Sequence, residues 1–267
     1  MTELKRLMDL SGRRALVTGA AGGLGRVMAD SLAELGANLV AVDLQETALS
    51  DLCSDLKARH GISAVPVVCD LEESAQREAL AAQVMAQGDG LSVLINNAAF
   101  VGTTRVEGWA EPFENQSIET WRRALEVNLT SAFHLCQLFA PALRTGPNGC
   151  IVNIASIYGE WGPDWSLYEG TVMANPAAYA ASKGGLIQLT RWLATTLSPD
   201  IRVNAISPGG VSRGQPETFV SRYEARTPLG RMATENDFRG AIAYLSSDLS
   251  AYVTGQVLAV DGGWGAW

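Results

Sequence analysis

Seven short runs rich in Val and Ile alternate along the chain with longer segments of helical periodicity. The runs are RALVTG (14–19), NLVAVD (38–43), AVPVVCD (64–70), LSVLIN (91–96), GCIVNIAS (149–156), IRVNAIS (201–207) and QVLAVD (256–261). Most are apolar at successive rather than alternate positions, as in strands buried on both faces of a parallel sheet. Helical patterns fill the intervals at 24–36, 46–59, 72–87, 117–145, 177–198 and 235–247. The alternation predicts an α/β fold: one doubly wound sheet of about seven parallel strands, with helices on both faces and a single domain over 1–267. A chain of 267 residues that is 47% hydrophobic can bury such a core.

Charge and composition narrow the function classes. The net charge of −8 argues against nucleic acid and anionic membrane as partners. Cys53, Cys69, Cys136 and Cys150 are scattered without a CxxC, and only His60 and His134 are available as histidine ligands, so neither a disulfide framework nor a metal site is expected. With no signal-like or membrane-spanning stretch, a cytoplasmic protein acting on a small molecule is expected.

The first strand runs into Thr18-Gly19-Ala20-Ala21-Gly22-Gly23-Leu24-Gly25 and then a helix. Glycines at such a turn let the backbone approach a pyrophosphate, and the helix N-terminus favours an anion. Asp43, ending the second strand, is placed to accept both ribose hydroxyls of an adenosine and would repel a 2′-phosphate. No Arg or Lys lies in the glycine run or just after Asp43, which favours NAD over NADP. Asp70 ends the third strand and could reach an adenine or cap a helix starting at Glu72. Asn96-Asn97-Ala98-Ala99 follow the fourth strand, small enough for the backbone to lie against a ribose.

Tyr179 and Lys183, four residues apart, share one helix face, with Asn175 as N-cap and Pro176 as first helical residue. A cation beside a phenol lowers its pKa and brings it nearer to working as an acid and base. Ser156, at the end of the fifth strand, can hold a carbonyl or alcohol oxygen and is preferred to Ser166, which lies inside a loop. Asn128, polar within a helical pattern, would mark a kink holding a water near Lys183.

These pieces, in this order, resemble the short-chain dehydrogenase/reductase family: TGAAGGLG (18–25), Asp43, Asp70, NNAA (96–99), Asn128, Ser156, YAASK (179–183), PGG (208–210), TPLGRM (227–232) and YVTGQVLAVDGG (252–263). The resemblance implies a Rossmann-type sheet and hydride transfer between a secondary alcohol or ketone and a nicotinamide cofactor. It implies Tyr179 as general acid/base, Lys183 on the nicotinamide ribose, Ser156 on the reacting oxygen and Asn128 in a proton relay. Cofactor contacts are implied for Gly19, Gly22, Gly23, Leu24, Gly25, Asp43, Asp70, Leu71, Asn97, Ala98, Ala99, Tyr179, Lys183, Pro208, Gly209 and Val211. A substrate lid at 212–225 and a homotetramer or homodimer built on 117–145, 177–198 and the C-terminal end are also implied.

Arg213 stands where the family often has a threonine contacting the cofactor carboxamide, and the loop 157–175 is longer than usual. Trp161, Trp165, Tyr168, Asp164 and Glu169 in this insertion would suit a sugar or polyol, or else fold on themselves. Arg105, Arg213 and Arg222 could reach the mouth of the site, where one of them would hold a carboxylate or phosphate, or else stay solvated at the surface. Trp264 and Trp267 could anchor a subunit or pack on their own chain. The enzymatic alternative is a 3-oxoacyl-thioester reductase; the non-enzymatic one is a catalytically silent NAD-binding sensor or scaffold.

Overall fold

In the computed structural model, which describes residues 2–88, 90–100 and 106–267, the strands and helices follow the expected alternation. They are α1 (Glu3–Met8), β1 (Arg14–Thr18), α2 (Gly23–Glu34), β2 (Asn38–Asp43), α3 (Glu46–His60), β3 (Ala64–Val68), α4 (Ser74–Met85), β4 (Val93–Asn96), α5 (Ile118–Leu125), α6 (Ser131–Thr145), β5 (Cys150–Ile154), α7 (Ala177–Thr196), β6 (Arg202–Pro208), α8 (Glu217–Arg226), α9 (Arg239–Ser246) and β7 (Val257–Val260). Arg105 and the adjoining residues 101–104 lie outside the described residues.

All pairings are parallel, in the order β3-β2-β1-β4-β5-β6-β7. The chain winds outward from β1 to β3, then returns to β4 on the other side of β1. The connections leaving β1 and β4 therefore diverge, opening a crevice at the carboxyl edge.

Apolar layers cover both faces. Ala15 and Val17 of β1 pack into a layer with Met28, Leu32, Leu49 and Phe238, while Leu16 faces the opposite layer with Leu80, Leu135, Phe139 and Leu193. Each such Leu or Phe contributes about 1.5–3 kcal/mol by burial. The sheet edges depart from the expected two-sided burial: Val68 of β3 is half exposed and β7 is only partly covered.

The helical segments hold further corrections. The 117–145 segment is not one helix: a π-helical turn at Glu126–Thr130 separates α5 from α6. The segment expected at 235–247 starts as a 3-10 turn, Glu235–Phe238, closed by a Thr234/Asp237 capping box. The fourth helix starts at Ser74 rather than Glu72, because Asp70 and Gln76 tie the preceding turn. Two short helices were not foreseen: α1, which buries no residue, and α8, inside the expected lid.

Candidate active site

The crevice holds a cavity of about 680 Å3. Every residue expected to touch a cofactor lines it: the glycine turn and Leu24 at one wall, Asp43, Asp70 and Leu71 at one end, Asn97–Ala99 beneath, and Pro208, Gly209 and Val211 with Tyr179 and Lys183 at the other end. Ser156 is on the same wall. Asn128 is buried behind it.

The glycine turn is locked to the neighbouring strand. Thr18 Oγ1 accepts hydrogen bonds from the backbone N–H groups of Asn97 (3.0 Å) and Ala98 (3.1 Å), and Asn97 Nδ2 donates to the Thr18 (2.9 Å) and Gly19 (3.1 Å) carbonyls. Gly19 takes a left-handed φ of 63°, and a Cβ there would lie 2.9 Å from the Ala98 Cα. A Cβ on Gly25 would drive into the Gly19 carbonyl. This turn needs glycine for both conformation and space.

Asp43 steadies the turn from the other side, accepting from Ala21 N at 3.0 Å and from its own following N–H, Leu44 N, at 2.8 Å. Arg26, one residue past the glycine run, donates to the Ala21 carbonyl at 2.9 Å and the Ala48 carbonyl at 3.3 Å, outside the cavity wall. Asp70 accepts from Glu72 N at 2.9 Å, so part of its capacity is spent on a local turn. The bare α2 terminus, small-residue floor and acidic end fit a dinucleotide.

Ser156, Tyr179 and Lys183 converge at the carboxyl edge of β5. Ser156 Oγ accepts from Tyr158 N at 3.2 Å and lies against the Tyr179 phenol. Lys183 is 2% exposed; its Nζ donates to the Ile154 carbonyl at 2.6 Å and sits 5.8 Å from the Tyr179 ring centroid. Burial pushes the Lys183 ammonium down to about 8. The expectation for the phenol is reversed here: desolvation raises Tyr179 above its ordinary value, while the Ser156 hydroxyl and the Arg213 charge pull it back. Asn128 accepts from Phe100 N at 2.6 Å and donates to Ser182 Oγ at 3.0 Å, so its direct partner is the neighbour of Lys183.

Asn175 does not cap α7. Pro176 takes the cap position, and the Asn175 side chain is buried beside the Tyr158 and Tyr168 hydroxyls, themselves 2.6 Å apart. Of Trp161, Asp164, Trp165, Tyr168 and Glu169, the insertion residues considered for a sugar, Tyr168 alone lines the cavity. Trp161 and Trp165 are half exposed, Asp164 pairs with Arg226 at 3.2 Å, and Glu169 faces solvent. Arg222 is tied to the Leu167 and Glu169 carbonyls. Trp264 packs on its own chain, stacked on Tyr223 at 4.5 Å, while Trp267 is exposed.

Sequence reasoning did not single out Phe100, Arg123, Tyr158, Met173, Phe219, Tyr223 and Met232, which complete the cavity wall. The aromatic positions of 217–226 at helical spacing were the available signal for Phe219 and Tyr223. His60 is held by Asp30 at 2.8 Å and His134 by Arg77 at 3.1 Å, and among the described residues no group of three or more His, Cys, Asp or Glu could hold a metal ion.

A family model described as Enoyl-(Acyl carrier protein) reductase matches residues 19–265. A tropinone reductase homolog of Arabidopsis thaliana is 35% identical, over 98% of this chain and 95% of its own. A short-chain type dehydrogenase/reductase from Mycobacterium marinum superposes with a TM-score of 0.85 at 30% identity, covering 99% of each chain. A gluconate 5-dehydrogenase from Burkholderia cenocepacia J2315, in complex with NADP and tartrate, superposes at 0.86 with 29% identity, covering 99% of this chain and 100% of that one. Alike in sequence and in shape over nearly its whole length, the chain belongs to the short-chain dehydrogenase/reductase family, NAD(P)-dependent oxidoreductases that act on CH–OH groups.

Proposed function

We propose that this oxidoreductase interconverts a secondary alcohol and a ketone with NAD(H), using Tyr179 as the acid and base. The observation that carries the reading is the convergence of Ser156, Tyr179 and Lys183 on one wall of the cavity that also contains the glycine turn. The bound dinucleotide supplies a hydride acceptor or donor. In the oxidation direction Tyr179 removes the hydroxyl proton as hydride leaves the carbon; in reduction it returns a proton to the carbonyl oxygen. Ser156 donates to the reacting oxygen. Lys183, fixed by the Ile154 carbonyl, holds a positive charge beside the phenol and is within reach of the nicotinamide ribose. Asn128 fixes this pair through Ser182, and α8 with the 212–216 loop forms the substrate lid.

Asp43 supports NAD over NADP, since its carboxylate at the adenosine end opposes a 2′-phosphate, and Arg123, which lines the cavity near Asp70, is engaged by the Glu72 carboxylate at 2.7 Å. The hydroxyls of Ser156, Tyr158 and Tyr168, set among aromatic rings, support a compact hydroxylated substrate such as a sugar or polyol derivative. Exposed Ile118, Phe133 and Trp192, on α5, α6 and α7, support assembly through these helices. The four cysteines are buried and unpaired, which suits a reducing compartment such as the cytoplasm.

Parallel titrations with NADH and NADPH, read by tryptophan fluorescence, test the cofactor reading. NADH is expected to bind at least about tenfold tighter, the scale of one lost charge interaction; tighter NADPH binding overturns it. Sugars and polyols are then screened against acetoacetyl-coenzyme A. Turnover of the thioester alone would replace the polyol reading with acyl-thioester reduction, which the apolar Phe219 and Met232 could accommodate.

A further inference from the structure

Arg213 has an unusual position in the cleft. It follows β6 in a braced loop: its backbone N–H donates to Gln215 Oε1 at 2.7 Å, Gln215 Nε2 donates to the Val211 carbonyl at 2.7 Å, and Ser212 N donates to Ala233 O at 2.8 Å. From this anchor the guanidinium reaches the opposite side of the crevice. Where a Cβ on Gly23 would stand, at the first residue of α2, the Glu235 carboxylate lies nearest, its Oε1 at 2.8 Å, with the Arg213 Nη2 beside it at 3.4 Å. No side chain caps this end of α2. Glu235 holds the arginine there, accepting from Nε at 3.3 Å. Both side chains are partly exposed, and a long exposed pair of this kind is readily exchanged for a better anion.

We propose that Arg213 clamps the diphosphate of the dinucleotide against the N-terminus of α2, exchanging Glu235 for phosphate oxygens when the cofactor binds. The inference rests on the reading of the cleft as a nicotinamide-dinucleotide site. A glycine turn leading into a helix N-terminus seats a diphosphate from one side. A planar guanidinium matches phosphate oxygens from the other, with a directional fork that a threonine hydroxyl cannot supply. The position over Gly23 favours the diphosphate over a substrate carboxylate, because Gly23 is on the cofactor side of the cavity. Arg213 also acts on the Tyr179 phenol, so the same cation spans the space between the glycine turn and the reacting centre.

The test compares wild type with Arg213→Gln and Arg213→Lys in fluorescence titrations with NADH, with ADP-ribose and with adenosine as competitors, at low and high salt. Arg213→Gln is expected to weaken NADH and ADP-ribose alike by about 10- to 100-fold, the range of a hydrogen bond to a charged group, and to flatten the salt dependence of both. Adenosine binding stays unchanged, and Arg213→Lys recovers part of the loss. Unchanged NADH and ADP-ribose affinity with a raised substrate KM would assign the cation to the substrate and overturn the clamp. A parallel loss of adenosine binding would mean a collapsed loop and would overturn it too. Wild-type protein that binds neither NADH nor NADPH would overturn the cofactor reading itself, a result distinguishable from any difference between variants.

Discussion

Lys183 is costly for the fold at the very place where the proposed chemistry calls for a cation. It is among the most buried side chains of the protein, and its ammonium donates to the Ile154 carbonyl. Desolvation lowers its pKa to about 8, so the folded protein binds fewer protons than the unfolded chain between about pH 8 and the ordinary lysine value of about 10.4. Stability from this group therefore rises with pH across that window and stays at its minimum below it. Lys183→Met is expected to raise Tm or leave it unchanged at pH 7 while abolishing turnover. The Tm of wild type minus variant should climb between pH 8 and 10, and a flat difference in thermal melts would show that Lys183 does not titrate there. Tyr179→Phe should cut kcat by at least about 1000-fold, on the order of lost general acid–base catalysis, with NADH affinity retained in titration. Unchanged turnover would remove the phenol from the reaction.

At the scale of elements, the π-helical turn connects the two halves of the site. Asn128 sits in it with one amide atom on the Phe100 backbone and the other on Ser182 of α7. The helix gains one residue in that turn, which aims a polar side chain inward where a regular helix would bury an apolar one. Asn128→Ala removes both bonds and should destabilise the protein by about 1–3 kcal/mol. It should lower kcat more than it changes NADH affinity, because Ser182 neighbours Lys183 on α7. Thermal unfolding with steady-state kinetics checks both; a normal kcat would confine Asn128 to a structural role. The helical period of 117–145 was legible in sequence, and Asn128 stood out in it. The interruption itself was not, because a π turn is decided by partners on Phe100 and Ser182, distant in sequence.

Across the whole molecule, the C-terminal segment packs on α8 and the 157–175 loop. Trp264 is 2% exposed, stacked on Tyr223 of α8, with the Arg226 guanidinium 4.5 Å above its ring. Tyr223 in turn accepts from Gly210 N, beside Pro208 and Gly209 of the cavity wall. The insertion joins the same cluster through Ile157, Leu167 and Tyr168. Trp264→Ala should cost about 3–5 kcal/mol, the usual range for emptying a buried tryptophan site. It should raise substrate KM with little change in NADH Kd, measured by thermal melts and kinetics side by side. Equal losses in both would mean that the cluster supports the whole cleft rather than the lid.

The strand and helix alternation, the glycine turn and the spacing of Tyr179 and Lys183 were determined by sequence alone, because each depends on local periodicity or on neighbours within one turn of chain. Burial on both faces of β1 follows from Ala15, Leu16 and Val17 in the same way. What only the tertiary structure decided was electrostatic or long-range. Four-residue spacing put a cation near a phenol, but burial raises Tyr179 and outweighs the Ser156 hydroxyl and the Arg213 charge that pull it back. Asn175 looked like a helix cap and is a buried neighbour of two tyrosines. The aromatics of the insertion suited either a sugar or a loop packed on itself; Trp161 and Trp165 turn outward and Tyr168 packs on Phe219 of α8, because loop side chains pack against whatever the fold brings to them. Arg213 read as a lost threonine contact, and its place over Gly23 became visible only when β6, α2 and Glu235 met across the cleft.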